Sequence, residues 1–362
     1  MTELRGLTIA RGAAAWLVVL YHIRGSLAGL PAPITAVLAK GYLAVDFFFL
    51  LSGFVIWLSW HARFRDTGFA ALPHFLQKRI ARIWPLHVVM LAAAAALALL
   101  LAATGRHDPA FPVDELPLHL LLVQNWGLTD TLRWNDPAWS ISCELAAYLL
   151  FPLIAIAVDW RRLHKPAAVS IIAVLLLGLH WIMRDQPDLG SDLPRFGLAR
   201  CLIEFIAGTI LASLWLRARS VWPAIIAAAA LLVVWAAGAP ETLAVPGALA
   251  AMLLALAIRS RPSGGAGSVG GIDRNLAMRV LHHLGEISYA TYLSHFLLWK
   301  AFKLVVVTNP ADVPPAQIAL YLALVLIASA ALYRCVERPA QRWINRMPIR
   351  RFPPRAPRRA QQ

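Results

Sequence analysis

Two residues near the start of the chain set the chemical question. Arg11 and His22 lie eleven positions apart in one apolar stretch. At 100° per residue that spacing closes to within about 20° of three full turns and rises about 16 Å, so both side chains share one helix face. An imidazole in a dry environment is suited to take a proton from a hydroxyl. A guanidinium is suited to hold phosphate. Asp46 follows in GYLAVDFFFLLSGFVIW (41–57), ahead of Ser52 and Gly53. In WSISCELAAYLLF (139–151), Ser140 and Glu144 are four apart and face the same way. In RIARIWP (79–85), Arg79 and Arg82 stand three apart beside Lys78, and arginine forks match phosphate geometry. In GEISYATYLSHFLLW (285–299), Ser288, Tyr292, His295 and Trp299 fall on one face. Together these groups suit proton transfer at His22, with Glu144 or Asp46 fixing the imidazole's tautomer and stabilising its protonated form.

Each motif also has a plainer reading. Arg11 can snorkel to one interface while His22 sits at the other. Ser52 and Gly53 can serve close helix approach. The carboxylates can staple helices, and Arg79 and Arg82 can be ordinary cytoplasmic anchors. His295 can be satisfied by a neighbour and inert. Arg200 and Glu204, four apart, can neutralise each other. Spacing leaves these alternatives open.

The elements that must position these groups are membrane spans. Of 362 residues, 59% are hydrophobic and only 15% charged, against about 25% charged in ordinary soluble domains. This composition excludes a disordered chain, a collagen-like repeat and an ordinary soluble enzyme. A span needs roughly 20 mostly apolar residues. Ten stretches qualify, at about 7–23, 41–60, 84–104, 138–158, 167–183, 195–216, 221–238, 243–258, 285–307 and 316–336. An eleventh, 116–126, is too short to cross and reads as re-entrant or interfacial. The predicted fold is therefore all-α, an integral membrane protein of about ten transmembrane helices. The first stretch contains Arg11 and no small-residue cleavage site, so it reads as a retained span.

Charge gives the expected sidedness. With both termini in the cytoplasm, the cytoplasmic segments hold 24 Lys+Arg against 5 Asp+Glu, and the outer loops hold 5 against 10. The net charge of +15 is thereby explained as positive-inside topology, with no nucleic-acid partner. The three cysteines form no CxxC pair, and no metal site is expected. A Gly/Ser-rich linker is expected at 263–271. The basic, Arg- and Pro-rich segment 341–362 reads as a disordered cytoplasmic tail that rests on anionic lipid, leaving 1–340 as the membrane domain. The outer loop 105–137 is the natural place for acceptor recognition. Its Trp126 and Trp134 are either sugar-stacking platforms or interfacial anchors. A secondary transporter or flippase would also place ionisable groups at mid-depth. The absence of visible internal repeats weighs against it.

In this order, the stretches LRGLTIARGAAAWLVVLYH, GYLAVDFFFLLSGFVI, KRIARIWP, WSISCE, GEISYATYLSH and VERP resemble the acyltransferase 3 family of membrane acyltransferases. The resemblance covers about 1–340. It implies a ten-helix core of the bacterial cytoplasmic (inner) membrane, with acetyl-CoA or another acyl-CoA as co-substrate and no permanently bound cofactor. It implies a carbohydrate, glycoconjugate or antibiotic acceptor met from the outer side. It also implies that Arg11 and His22 are required, and that Arg79, Arg82, Ser140 and Glu144 occupy the family's motif positions. Cys143 stands where the family often has Val. Some members carry a further extracytoplasmic domain, and here any second transfer is expected to fall to a separate protein. Direct attack on the thioester and an acyl-His22 intermediate both satisfy this reading.

Overall fold

The computed structural model describes residues 4–27, 29–261, 276–310 and 312–348. Among them there is no strand. The helices are α1 (Arg5–Ile23), α2 (Ala32–Ala39), α3 (Ala44–Thr67), α4 (Leu72–Ala103), α5 (Leu116–Leu121), α6 (Ala138–Ala157) and α7 (Lys165–Ile182). They continue as α8 (Leu193–Arg217), α9 (Trp222–Ala236), α10 (Glu241–Arg259), α11 (Leu276–Glu286), α12 (Ser288–Val305), α13 (Pro315–Leu332) and α14 (Arg338–Arg346). Each of the ten apolar stretches is a helix. Seven helical stretches are long and apolar enough to cross a membrane, and the protein is an all-α, multi-pass membrane protein. The linker expected at 263–271 and the tail beyond 348 lie outside the described residues.

Three details position the site. First, α4 begins at Leu72, well before its apolar run, so Arg79 and Arg82 ride on the same rigid helix as the span above them. Gly68, at φ +56°, separates α4 from α3, and Trp60 and Phe64 of α3 then pack their rings on Phe75 of α4. Second, α3 and α8 cross at closest approach through paired glycines. A Cβ on Gly53 would meet the Phe205 backbone, and one on Gly208 would meet the Leu50 backbone. Small residues permit this contact where lipid supplies no hydrophobic drive between helices. Third, α13 ends in a π-turn (Tyr333–Glu337) and continues as α14. Gln77 of α4 donates to the Ile344 and Met347 carbonyls at 2.7 and 2.9 Å, which fastens α14 beneath α4. The helix runs unbroken across position 340.

The stretch 116–126 is not one helix. α5 is six residues long and stops where Leu122 takes φ +57°. The irregular chain at 122–126 is largely buried in protein, the setting in which non-helical backbone is tolerated at membrane depth. Asn125 donates to the Leu193 carbonyl at 3.0 Å. His87 of α4 donates to the His119 carbonyl at 2.8 Å. Trp126 and Trp134 donate to the Ser142 and Pro112 carbonyls, and Trp134 is 3% exposed. The Trp134 indole is therefore neither an exposed sugar platform nor a lipid anchor.

Candidate active site

The two polar stripes read from the sequence meet each other. Gly12 lets α1 lie against the start of the 285–299 motif, where a Cβ would come 2.8 Å from the Gly285 nitrogen. At one level Arg11 Nη2 donates to Ser288 Oγ at 3.2 Å. Higher on the same pair of helices, His22 Nδ1 and His295 Nε2 are 3.2 Å apart. Arg11 with Ser288 and His22 with His295 ascend together, so α1 and α12 run parallel at the site.

The hydrogen bonds fix the protons on this pair. His295 Nδ1 lies 3.1 Å from the Thr291 carbonyl. A carbonyl only accepts, so Nδ1 carries the hydrogen and Nε2 of the neutral ring keeps its lone pair. His22 Nδ1 lies 2.9 Å from the Val18 carbonyl and faces that Nε2 lone pair. Both neighbours are acceptors, so His22 Nδ1 carries a hydrogen too. In the neutral ring the lone pair of His22 is therefore on Nε2. Tyr321 donates to the His295 carbonyl at 2.9 Å and holds this turn of α12 in place.

Below the pair lies a cavity of about 440 Å³ between α1, α3, α4, α6 and α12. Arg11, Arg79 and Arg82 line its lower end, and Ser140, Tyr292 and Phe48 line its upper end. Ser140 Oγ and Tyr292 Oη are 2.7 Å apart, and the Tyr292 ring centroid is 6.2 Å from that of His295. The cavity stops at Tyr292. His22 is not among its lining residues and lies half-buried beyond that ring.

The carboxylates are placed differently from the sequence expectation. Glu144 does not touch His22. Its Oε1 accepts from Ser52 Oγ and from Tyr148 Oη, each at 2.5 Å, which fixes it in the cavity wall. Asp46 is fully buried and takes a two-point bond from Arg200. Arg200 is therefore spent on Asp46, and on the Leu189 carbonyl at 2.7 Å, rather than on Glu204. The group that orients His22 is a second imidazole. Ser52, whose plainer reading is helix packing, holds Glu144, while Gly53, with Gly208, serves the helix crossing. Of the basic cluster, Arg79 and Arg82 line the cavity and Lys78 does not. Arg79 stacks its guanidinium 5.7 Å from the Tyr148 centroid. Arg82 is paired with the buried Glu337 and lies over the Tyr289 ring. Glu337, Tyr148 and Tyr289 were not singled out from sequence. Tyr148 carried a usable signal, because it stands four residues after Glu144 on the same face.

This arrangement can hold a polyanion at one end and present a base at the other. The family model described as an acyltransferase domain, acyltransferase 3, matches residues 4–334. The chain belongs to this family. It is similar to acyltransferase MdmB of Streptomyces mycarofaciens, with 31% identity over 84% of this chain and 82% of that protein. It is also similar to a putative O-acetyltransferase of Staphylococcus aureus (strain COL), with 25% identity over 59% of this chain. The match spans about a third of that longer relative, 35%. A third relative, protein 2 in the picA locus of Rhizobium radiobacter, is 30% identical over 46% of this chain and 90% of its own length. No solved structure matches the chain. As an acyltransferase 3 member, the protein is a membrane acyltransferase, and its cavity is the place to look for the donor.

Proposed function

We propose that the protein transfers an acyl group, most simply acetyl, from a cytoplasmic acyl-CoA to a hydroxyl of a carbohydrate or glycoconjugate acceptor. It would work in the bacterial cytoplasmic membrane, with ten spans and both chain ends on the cytoplasmic side. The observation that carries this reading is the basic Nε2 of His22, set just past the end of a cavity whose other end is lined by three arginines. The donor's phosphates stay at Arg11, Arg79 and Arg82, where charge is neutralised without entering hydrocarbon. The neutral pantetheine arm runs up the cavity past Glu144 toward Tyr292. The acceptor approaches from the opposite side to half-buried His22. Tyr292 turns aside, and the hydroxyl oxygen attacks the thioester carbon as its proton passes to His22 Nε2. The C–S bond breaks, and the proton on His22 goes on to the leaving CoA thiolate. The charge that develops on His22 is shared through Nδ1–H with the His295 lone pair.

The name of the S. aureus relative supports acetyl as the group moved. The test is purified protein in lipid nanodiscs with acetyl-CoA and a glycolipid extract. Free thiol should appear only when the extract is present, and mass spectrometry should find one acetyl gained per acceptor. Thiol release with no acylated product would refute transfer to that acceptor class.

A further inference from the structure

A second cavity opens onto the first. It measures about 300 Å³ and shares Thr8, Arg11 and Arg82 with it. Its remaining wall comes mainly from the π-turn and α14: Tyr333, Arg338, Gln341, Arg342 and Asn345, with Glu286 of α11 opposite. Four arginines thus surround one small space. Glu286 is engaged by His283 at 3.0 Å, and Arg82 by Glu337 behind the wall, while among the described residues no carboxylate forms an ion pair with Arg338 or Arg342. Arg338 lies over the Tyr333 ring. Asn345 Oδ1 is buried and accepts no hydrogen bond among the described residues. A carboxamide with a spare acceptor suits a ribose hydroxyl or an adenine amino group. π-turns recur at functional sites, and this one directs Glu337 inward to Arg82 while Arg338 and Arg342 turn to the cavity.

We propose that this second cavity seats a phosphorylated nucleotide, the 3′-phosphoadenosine diphosphate end of a CoA thioester, with Arg338 and Arg342 reading the ribose phosphate. This deepens the acyl-CoA reading above and rests on it. The sign of the charge fits, since such a head is strongly anionic near neutral pH and Arg338 and Arg342 line the space beside Arg11 and the Glu337-paired Arg82. The geometry fits as well, since the shared wall at Arg11 and Arg82 puts the diphosphate where the neutral arm must turn into the first cavity. The sequence alone places Arg338 in the VERP stretch at the end of the membrane domain and Arg342 at the start of a basic tail. The fold makes them a lid of the donor site, because Gln77 clamps α14 beneath α4.

The experiment measures Kd for CoA and for 3′-dephospho-CoA on the full chain in phosphatidylcholine nanodiscs, for wild type and for Arg338→Gln with Arg342→Gln. Wild type should prefer CoA at least tenfold, and the variant should bind the two ligands alike. A merely structural role would weaken both ligands equally and leave the preference intact, which would overturn the proposal. Wild type that binds both equally well would overturn it while leaving the acyl-CoA reading standing. Wild type that binds neither would overturn both. The titration is repeated with phosphatidylglycerol in the disc. Loss of CoA binding there, with no preference in phosphatidylcholine, would assign the arginines to lipid headgroups instead and overturn the nucleotide. The variant's monodispersity and thermal midpoint confirm that the loss is local.

Discussion

His22→Gln isolates the proposed base. His22 Nδ1–H faces two acceptors, the Val18 carbonyl at 2.9 Å and His295 Nε2 at 3.2 Å, so Nε2 is the atom left to take a proton. Glutamine is polar and helix-compatible but accepts no proton near neutral pH. General-base catalysis is typically worth 10²–10⁴-fold, or about 3–5 kcal/mol of barrier at 1.36 kcal/mol per decade. Acyl transfer should fall by that factor while the donor's Kd is unchanged, because His22 does not line the donor cavity. His295→Phe provides the graded comparison. It removes one of the two acceptors on the incipient imidazolium and leaves Val18. A hydrogen bond to a charged group is worth about 1.5–3 kcal/mol, so this loss should be about tenfold to a hundredfold. The assay is thiol release from acetyl-CoA with acceptor, in nanodiscs, alongside donor binding. Near-native turnover in His22→Gln would refute the assignment of the base. Equal losses of turnover and donor affinity would refute the division of labour between the two ends of the site.

Arg79→Ala should raise the donor's Kd several-fold without unfolding the protein. Arg82→Ala should in addition lower the thermal midpoint, because it strands the buried Glu337 carboxylate, and Glu337→Gln in the same chain should restore that midpoint. Tyr292→Ala removes the ring between cavity and base, so acetyl-CoA hydrolysis without acceptor should rise, measured as thiol release against wild type. Gly208→Val drives a side chain into the Leu50 backbone and should cost about 1–3 kcal/mol, read as a fall in thermal midpoint. In the loop between α6 and α7, bonds from the Arg161 side chain and backbone hold the Asp159 carboxyl down at about 2. A lowered folded-state pKa stabilises above the ordinary carboxylate range and is lost as pH falls through the folded value. The stability gap between wild type and Asp159→Asn should therefore close as pH drops toward about 2, followed by chemical denaturation.

The sequence by itself determined what each helix must hide and where its polar groups sit around its own axis. The ten apolar stretches, the shared face of Arg11 and His22, the shared face of Ser140 and Glu144, and the stripe of Ser288, Tyr292 and His295 all follow from hydropathy and a 3.6-residue period, and each is a helix face in the structure. What periodicity cannot supply is the neighbour. It fixes an angle about one axis, whereas a contact needs two axes, their crossing and their relative height. Those came from packing: Gly53 against Phe205 and Gly208 against Leu50 set the height of α3 on α8, and so gave Asp46 to Arg200 rather than to His22. Gly12 against Gly285 of α11 set α1 at the head of α12, and so gave His22 to His295. Gln77 drew α14 beneath α4, and so brought Arg338 and the tail's Arg342 into the wall of one cavity. A buried charge must find a partner, but only the tertiary structure decides which one is within reach.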